Sequence, residues 1–257
     1  MNNKINKVSI KNNKSYILPQ WDTPEHIKAC VTTRIGGFSQ NSCKFFNLAN
    51  HVGDNPEDVF QNRSLLASDL ELINEPMWLE QVHGNLCLPW QQSEDPLTAD
   101  ASFTTTSNQP CVVMTADCLP VLFTNKQGNW IAACHAGWRG LEKGVIENTI
   151  ANYKGKTSDL LAWIGPAISQ KHFEVGEEVR EQFCSHHSSY QTFFQPNEHG
   201  RFQFDFIGLA RFIMTNLGIC VYGGNYCSYT NDKLFYSYRR DGETGRMASL
   251  IWIEDNL

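Results

Sequence analysis

Residues 111–136 read CVVMTADCLPVLFTNKQGNWIAACHA, and the fold turns on how this stretch is divided. Residues 111–115, 121–124 and 130–134 are apolar runs of strand length. The connector at 125–129, NKQGN, is polar and contains glycine, so the second and third runs are expected to form a hairpin. A hairpin is antiparallel, which argues against a fully parallel, doubly wound sheet.

Working outward, 54–72 is expected to be helical. Asn55 can cap, Pro56 suits the first turn, Glu57 and Asp58 favour the dipole, and Val59, Leu65, Leu66 and Leu70 supply an apolar side. Helical spacing recurs at Leu141, Val145, Ile146, Thr149 and Ile150. A buried strand is predicted over 160–164, ended by Gly165-Pro166, and a final strand over 248–253. Two further helices are predicted, one over 175–183 and one running from an Asp205 cap to Leu217, closed by Gly218. No internal repeat or low-complexity linker divides the chain. The expectation is therefore one layered domain over 1–257, α/β or α+β, with mixed sheets flanked by helices. The Asn- and Lys-rich segment 1–14 is expected to fray.

Hydrophobic residues make up 41% of the 257-residue chain and charged residues 19%, a composition that suits a packed core rather than disorder. The formal net charge of −6 disfavours a general nucleic-acid binder, which needs a basic surface. A small anion held by one or two arginines stays open. The first twenty residues lack an uninterrupted apolar core of the secretory type, and no stretch approaches a membrane span, so a cytoplasmic location is expected. The nine cysteines are scattered and form no C-x-x-C pair, which suits reduced core residues better than a disulfide framework or zinc ribbon.

Three short stretches are polar inside apolar surroundings: QVHG at 81–84, ADCLP at 116–120 and CHAGWRG at 134–140. Each carries one His or Cys at the end of a predicted strand. Three such ligands with one open position is the pattern of a catalytic zinc site. The spacing of His83, Cys118 and His135 is too wide for a local motif, so from the residues alone core packing remains an equal alternative.

The order of motifs resembles the YfiH-type family, also named for a laccase domain or polyphenol oxidoreductase and regarded as purine nucleoside phosphorylases. The similarity runs through VTTRIGGFS (31–39), FNLANHVGDNP (46–56), QVHG (81–84), TADCLPVLF (115–123), HAGWRGL (135–141), IGPAIS (164–169), FEVG (173–176) and SYRRDGETGRMASLIWI (237–253). The resemblance implies zinc on His83, Cys118 and His135. It also implies phosphorolysis of purine nucleosides (adenosine, inosine, guanosine, methylthioadenosine) with inorganic phosphate, and deamination of adenosine. Editing of a peptidoglycan precursor by amide hydrolysis is a second implied activity. Copper-dependent polyphenol oxidation is a third, but it calls for more ligands, commonly as His-x-His pairs, and none of the eight histidines forms one.

Further roles follow by residue type. Asp117 is a candidate for proton transfer, or else orients a ligand or caps a turn. Arg139 could hold phosphate at the start of a helix near Leu141, or lie on Trp138. Arg34, Asn47 and Trp138 are candidate pocket residues. Cys227 is read first as a pocket-lining residue; for the amidase reading, either a zinc hydroxide or Cys227 could serve as nucleophile. His51 is read as structural, His186 and His187 as surface residues, and Arg239, Arg240 and Arg246 as a basic cluster on a solvated loop. Partners are expected to be nucleoside and phosphate only, with the chain a monomer or homodimer.

Overall fold

The computed structural model describes residues 7–11 and 14–255. Two sheets carry the architecture. The first has five strands, all paired antiparallel, in the order β1 (Lys7–Lys11), β2 (Lys14–Leu18), β3 (Ile27–Thr32), β16 (Met247–Ile253) and β8 (Cys111–Thr115). The second is mixed, with the order β15 (Cys220–Gly223), β11 (Leu160–Ile164), β9 (Leu119–Asn125), β10 (Ile131–Ala136), β7 (Ala101–Thr104) and β5 (Cys87–Pro89). Its outer pairs are parallel and its inner ones antiparallel. Two small sheets complete the set: β12 (Glu174–Val175), β14 (Phe202–Phe204) and β13 (Phe194–Pro196), and the pair β4 (Leu79–Glu80) with β6 (Leu97–Thr98).

The sheets stack face to face between helices, giving four layers. Side chains alternate along each strand, so each face of a strand feeds a different core. On β8, Cys111 and Val113 point between the sheets with Leu122, Ile131, Ala133 and the fully buried Trp163. Its neighbours Val112 and Met114 point outward, where they meet Leu66 of α1 (Pro56–Asp69). On the far side of the second sheet, Val121, Phe123 and Ala132 pack against Val145 and Ile146 of α3 (Val145–Ile150), Phe183 of α4 (Glu177–His186) and Leu209 of α5 (Phe206–Asn216). Both faces of each central strand are thus buried. Continuous apolar runs, not alternating ones, are the consequence.

Helix α1 is capped as its sequence predicts, with the Asn55 side chain accepting from the Glu57 amide and Pro56 in the first turn. Helix α5 begins at an Asp205 cap that accepts from the Gly208 amide. The periodicity at 141–150 does not make one helix. Gly144 adopts φ +77° and splits it into α2 (Trp138–Glu142) and α3. The helix predicted from Val175 begins at Glu177, because Val175 is drawn into β12. Of the segment expected to fray, 1–6 and 12–13 lie outside the described residues, while β1 and β2 pair in register. All nine cysteines are unpaired. No helix among the described residues is long and apolar enough to cross a membrane.

Candidate functional site

The polypeptide leaves the first sheet at Thr115 and enters the second at Leu119, so 116–118 must cross between them. The crossing bends the backbone sharply: Asp117 has φ +101°, in a region that non-glycine residues occupy at a cost. His83 is also left-handed, at φ +57°. Its loop is laid against the free edge of β8 by Gln81, whose amide accepts from the Met114 N–H (2.7 Å) and donates to the Met114 carbonyl (2.8 Å). His135 stands near the end of β10, on the side that faces between the sheets.

These three elements bring His83, Cys118 and His135 together, with ligand atoms within 4.8 Å of one another. Cys118 Sγ lies 3.7 Å from His83 Nε2, near the roughly 3.5 Å that a tetrahedral zinc places between nitrogen and sulfur ligands. The imidazole rings of His83 and His135 meet edge to face, their centroids 4.8 Å apart. Space for the cluster depends on Gly137, where a Cβ would lie 2.5 Å from His83 Cδ2 and 3.3 Å from Cys118 Sγ.

Asp100 organises the centre. It is fully buried just before β7, and its carboxylate accepts from His135 Nδ1 (2.7 Å) and from the backbone amides of Gly84 (2.6 Å), His83 (3.0 Å) and Val82 (3.3 Å). A proton held on Nδ1 leaves the His135 Nε2 lone pair for a metal, the arrangement of carboxylate–histidine–metal sites. Burial alone would raise the Asp100 carboxyl, but His135 and the backbone amides outweigh it and hold it below its ordinary range. Burial likewise works against charge on Cys118 and His135. The charge of each and the hydrogen bonds they share prevail, bringing the thiol down to about 6 and the imidazolium up to about 9. Each group thus favours the charged form of the other.

The centre opens into a cavity of about 370 Å³, the size of a small-molecule site. Trp138, Ile168, Phe173 and Phe206 form apolar wall, and Arg239, Arg246 and His51 supply polar lining. Asp117 also lines it, but its oxygens are engaged: Oδ1 accepts from Ser228 Oγ and Oδ2 from the Arg239 amide, each at 2.6 Å.

Other residues singled out from sequence lie elsewhere. Arg139 is exposed and stacks over the Trp138 ring at 4.3 Å, and α2 at its start is a single turn. Arg34 donates to the Asp232 carbonyl and covers Tyr236. Asn47 is buried beside the site and organises its own loop, accepting from the amides of Ala49 and Arg246. Cys227 is off the cavity. Donors from Ser169 and Thr230 lower its thiol against the opposing effect of burial. Arg240 is locked to Asp241 and to three carbonyls. Sequence reasoning passed over Asp100, whose signal is an acid set between Ala99 and Ala101 with no cation near it in the chain. It also read Arg239 and Arg246 as part of a solvated loop, where the structure turns both toward the cavity.

Comparison with known proteins places this geometry. A family model described as multi-copper polyphenol oxidoreductase laccase matches residues 28–254. A Haemophilus influenzae protein named purine nucleoside phosphorylase is 46% identical over 241 residues, covering 93% of this chain and 99% of that protein. An Escherichia coli protein named purine nucleoside phosphorylase YfiH is 46% identical over 242 residues, covering 92% and 98%. Among solved structures, a Neisseria meningitidis protein superposes with a TM-score of 0.90 at 43% identity, covering 93% of this chain and 99% of that one. YlmD from Geobacillus stearothermophilus shares the fold at 23% identity and a TM-score of 0.88.

Proposed function

Because the chain belongs to the multi-copper polyphenol oxidoreductase laccase family, in which its relatives at 46% identity carry the name purine nucleoside phosphorylase, we propose that it is a zinc-dependent purine nucleoside phosphorylase that also deaminates adenosine. The observation that carries the reading is a two-histidine, one-thiolate donor set opening into a cavity that also holds two arginines. The donors suit zinc by softness, spacing and number, leaving one position toward the cavity. Bound there, zinc would supply Lewis acidity and lower the pKa of a coordinated water toward 7.

The remaining work falls to the protein. In phosphorolysis a phosphate oxygen forms a bond to the ribose anomeric carbon as the bond from that carbon to the purine nitrogen breaks. The electron pair leaves with the purine, which gains a proton, and ribose 1-phosphate and free base result. The apolar wall of Trp138, Ile168, Phe173 and Phe206 suits a flat purine and excludes water from it. His135, oriented by Asp100, and Cys118 bring their donor atoms to the same side of the cavity. Asp117, with both oxygens engaged, serves better to position the crossing turn than to carry protons. Adenosine, inosine, guanosine and methylthioadenosine all present the purine face this wall accepts.

Two alternatives gain less support. Among the described residues, His83, Cys118 and His135 are the one such cluster of metal-binding side chains, whereas multicopper oxidation needs several ions with further ligands. For amide hydrolysis through Cys227, the thiol does not line the cavity that holds the donor cluster. We place the protein in the cytoplasm, where its nine free thiols stay reduced. Zinc-loaded protein given inosine and phosphate is expected to release hypoxanthine, and adenosine to yield ammonia. No base released from any of the named nucleosides, with zinc bound, would overturn the proposal.

A further inference from the structure

Two guanidinium groups face the cavity without a counter-ion. Neither Arg239 nor Arg246 makes an ion pair within 4.0 Å among the described residues. The nearest acid in their surroundings, Asp117, spends one oxygen on Ser228 and the other on the Arg239 backbone. Arg246 is half-buried and Arg239 is exposed where it lines the cavity; a half-buried guanidinium with no carboxylate is costly unless a ligand supplies the negative charge.

The two are held in the same way. Arg239 is anchored at its backbone by Asp117, and its Nη1 donates to the carbonyls of His172 and Glu174, both at 3.2 Å. Arg246 is anchored at its backbone by Asn47 Oδ1 at 2.9 Å, and its Nη1 donates to the carbonyls of Thr244 (2.5 Å) and Gly245 (3.0 Å). Among the described residues, Nε and Nη2 of both arginines make no hydrogen bond, so each keeps an uncommitted donor edge. Each also has an aromatic neighbour that limits its swing: Phe173 lies 5.5 Å from Arg239 Cζ, and Tyr238 lies 5.9 Å from Arg246 Cζ. Burial lowers the Arg246 guanidinium from its ordinary value, outweighing the raising effect of Cys118, Cys43 and Asp117. Arg139 has none of this. It lies on Trp138, outside the cavity lining.

We propose that Arg239 and Arg246 together form the phosphate subsite of the cavity, positioned through their backbone amides by Asp117 and Asn47, and that Arg139 takes no part in it. The proposal rests on the nucleoside phosphorylase reading for its substrate, but the subsite itself is a claim about an inorganic oxyanion. Two pinned arginines offering paired donors suit a tetrahedral dianion, whose several oxygens can accept from both.

Phosphate binding to the zinc-loaded protein is measured by calorimetry, alongside KM for phosphate and for inosine. Arg239→Gln and Arg246→Gln are each expected to weaken phosphate by about 10- to 100-fold in both Kd and KM. KM for inosine should stay within about threefold, and Arg246→Lys should recover part of the loss by restoring charge without the paired donors. Phosphate affinity within about threefold of wild type in both glutamine variants overturns the subsite, as does weakening by Arg139→Gln alone. A wild-type protein that binds no phosphate overturns it too, even if it deaminates adenosine. Arginine-dependent phosphate binding without base release would leave the subsite standing and remove the phosphorylase reading.

Discussion

A carboxylate sealed from water must find donors for its charge, and Asp100 finds them in His135 and in three consecutive amides of the loop that carries His83. One side chain thereby orients the ring of His135 and fixes the backbone of His83. Asp100→Asn is expected to keep the fold but weaken zinc by about 10- to 100-fold, because the amide cannot accept from all four donors as a charge does. Competition against a chelator measures this, and unchanged affinity would show that His135 needs no partner. His83, Cys118 and His135 stood out in the sequence as His or Cys at the ends of apolar runs, but it was the family resemblance that singled them out as one set. Asp100 did not stand out, since its three amide partners are brought near only by the fold. The same limit hid Arg239 and Arg246, whose aim depends on contacts with Asp117 and Asn47 far away along the chain.

Strands β8, β9 and β10 could be read from composition because both faces of each are buried, although β9 runs Leu119–Asn125 against the expected 121–124 and β10 runs Ile131–Ala136 against the expected 130–134. The hairpin between β9 and β10 followed from the polar connector. Which sheet each strand joins could not be read, since β8 and β9 are neighbours in the chain yet lie in different layers. The helix expected over 141–150 shows another limit: apolar spacing continues through Gly144, but its left-handed backbone ends one helix and starts the next. Glycine also governs the entry to α2. Gly137→Ala would drive a methyl group to 2.5 Å from the His83 ring and into contact with Cys118, while φ there is −65° and imposes no backbone strain. The expected outcome is a folded protein with zinc largely lost, and the readouts are circular dichroism and metal content. Full zinc occupancy in the alanine variant would mean that His83 can move aside and still bind.

The proposed zinc site would tie the layers of the molecule together: His135 comes from the second sheet, Cys118 from the crossing between sheets, and His83 from a loop fixed to the edge of the first. Zinc should therefore stabilise the whole fold, by about 2.7 kcal/mol when free zinc is a hundred times Kd. The pH dependence of that gain follows from the protons the site must shed. Cys118, depressed to about 6, is already a thiolate above that pH, while His135, raised to about 9, still carries a proton that zinc must displace. In the metal-free protein the two effects oppose. Relative to the unfolded chain, the depressed thiol favours folding more as pH rises from 6 toward 9, and the raised imidazole favours it less from 6.5 toward 9. Their sum is nearly flat across neutrality. Zinc breaks the balance, because one proton leaves for each ion bound. Apparent affinity is expected to rise about tenfold per pH unit between pH 6 and 8, adding about 1.4 kcal/mol per unit to the stabilisation at fixed free zinc. Thermal unfolding with buffered zinc at several pH values reads this slope, and His135→Ala should abolish both the slope and most of the gain. A zinc-dependent shift that is the same at pH 6 and pH 8 would mean that His135 is neutral before the metal arrives, with Asp100 holding a tautomer and not a charge.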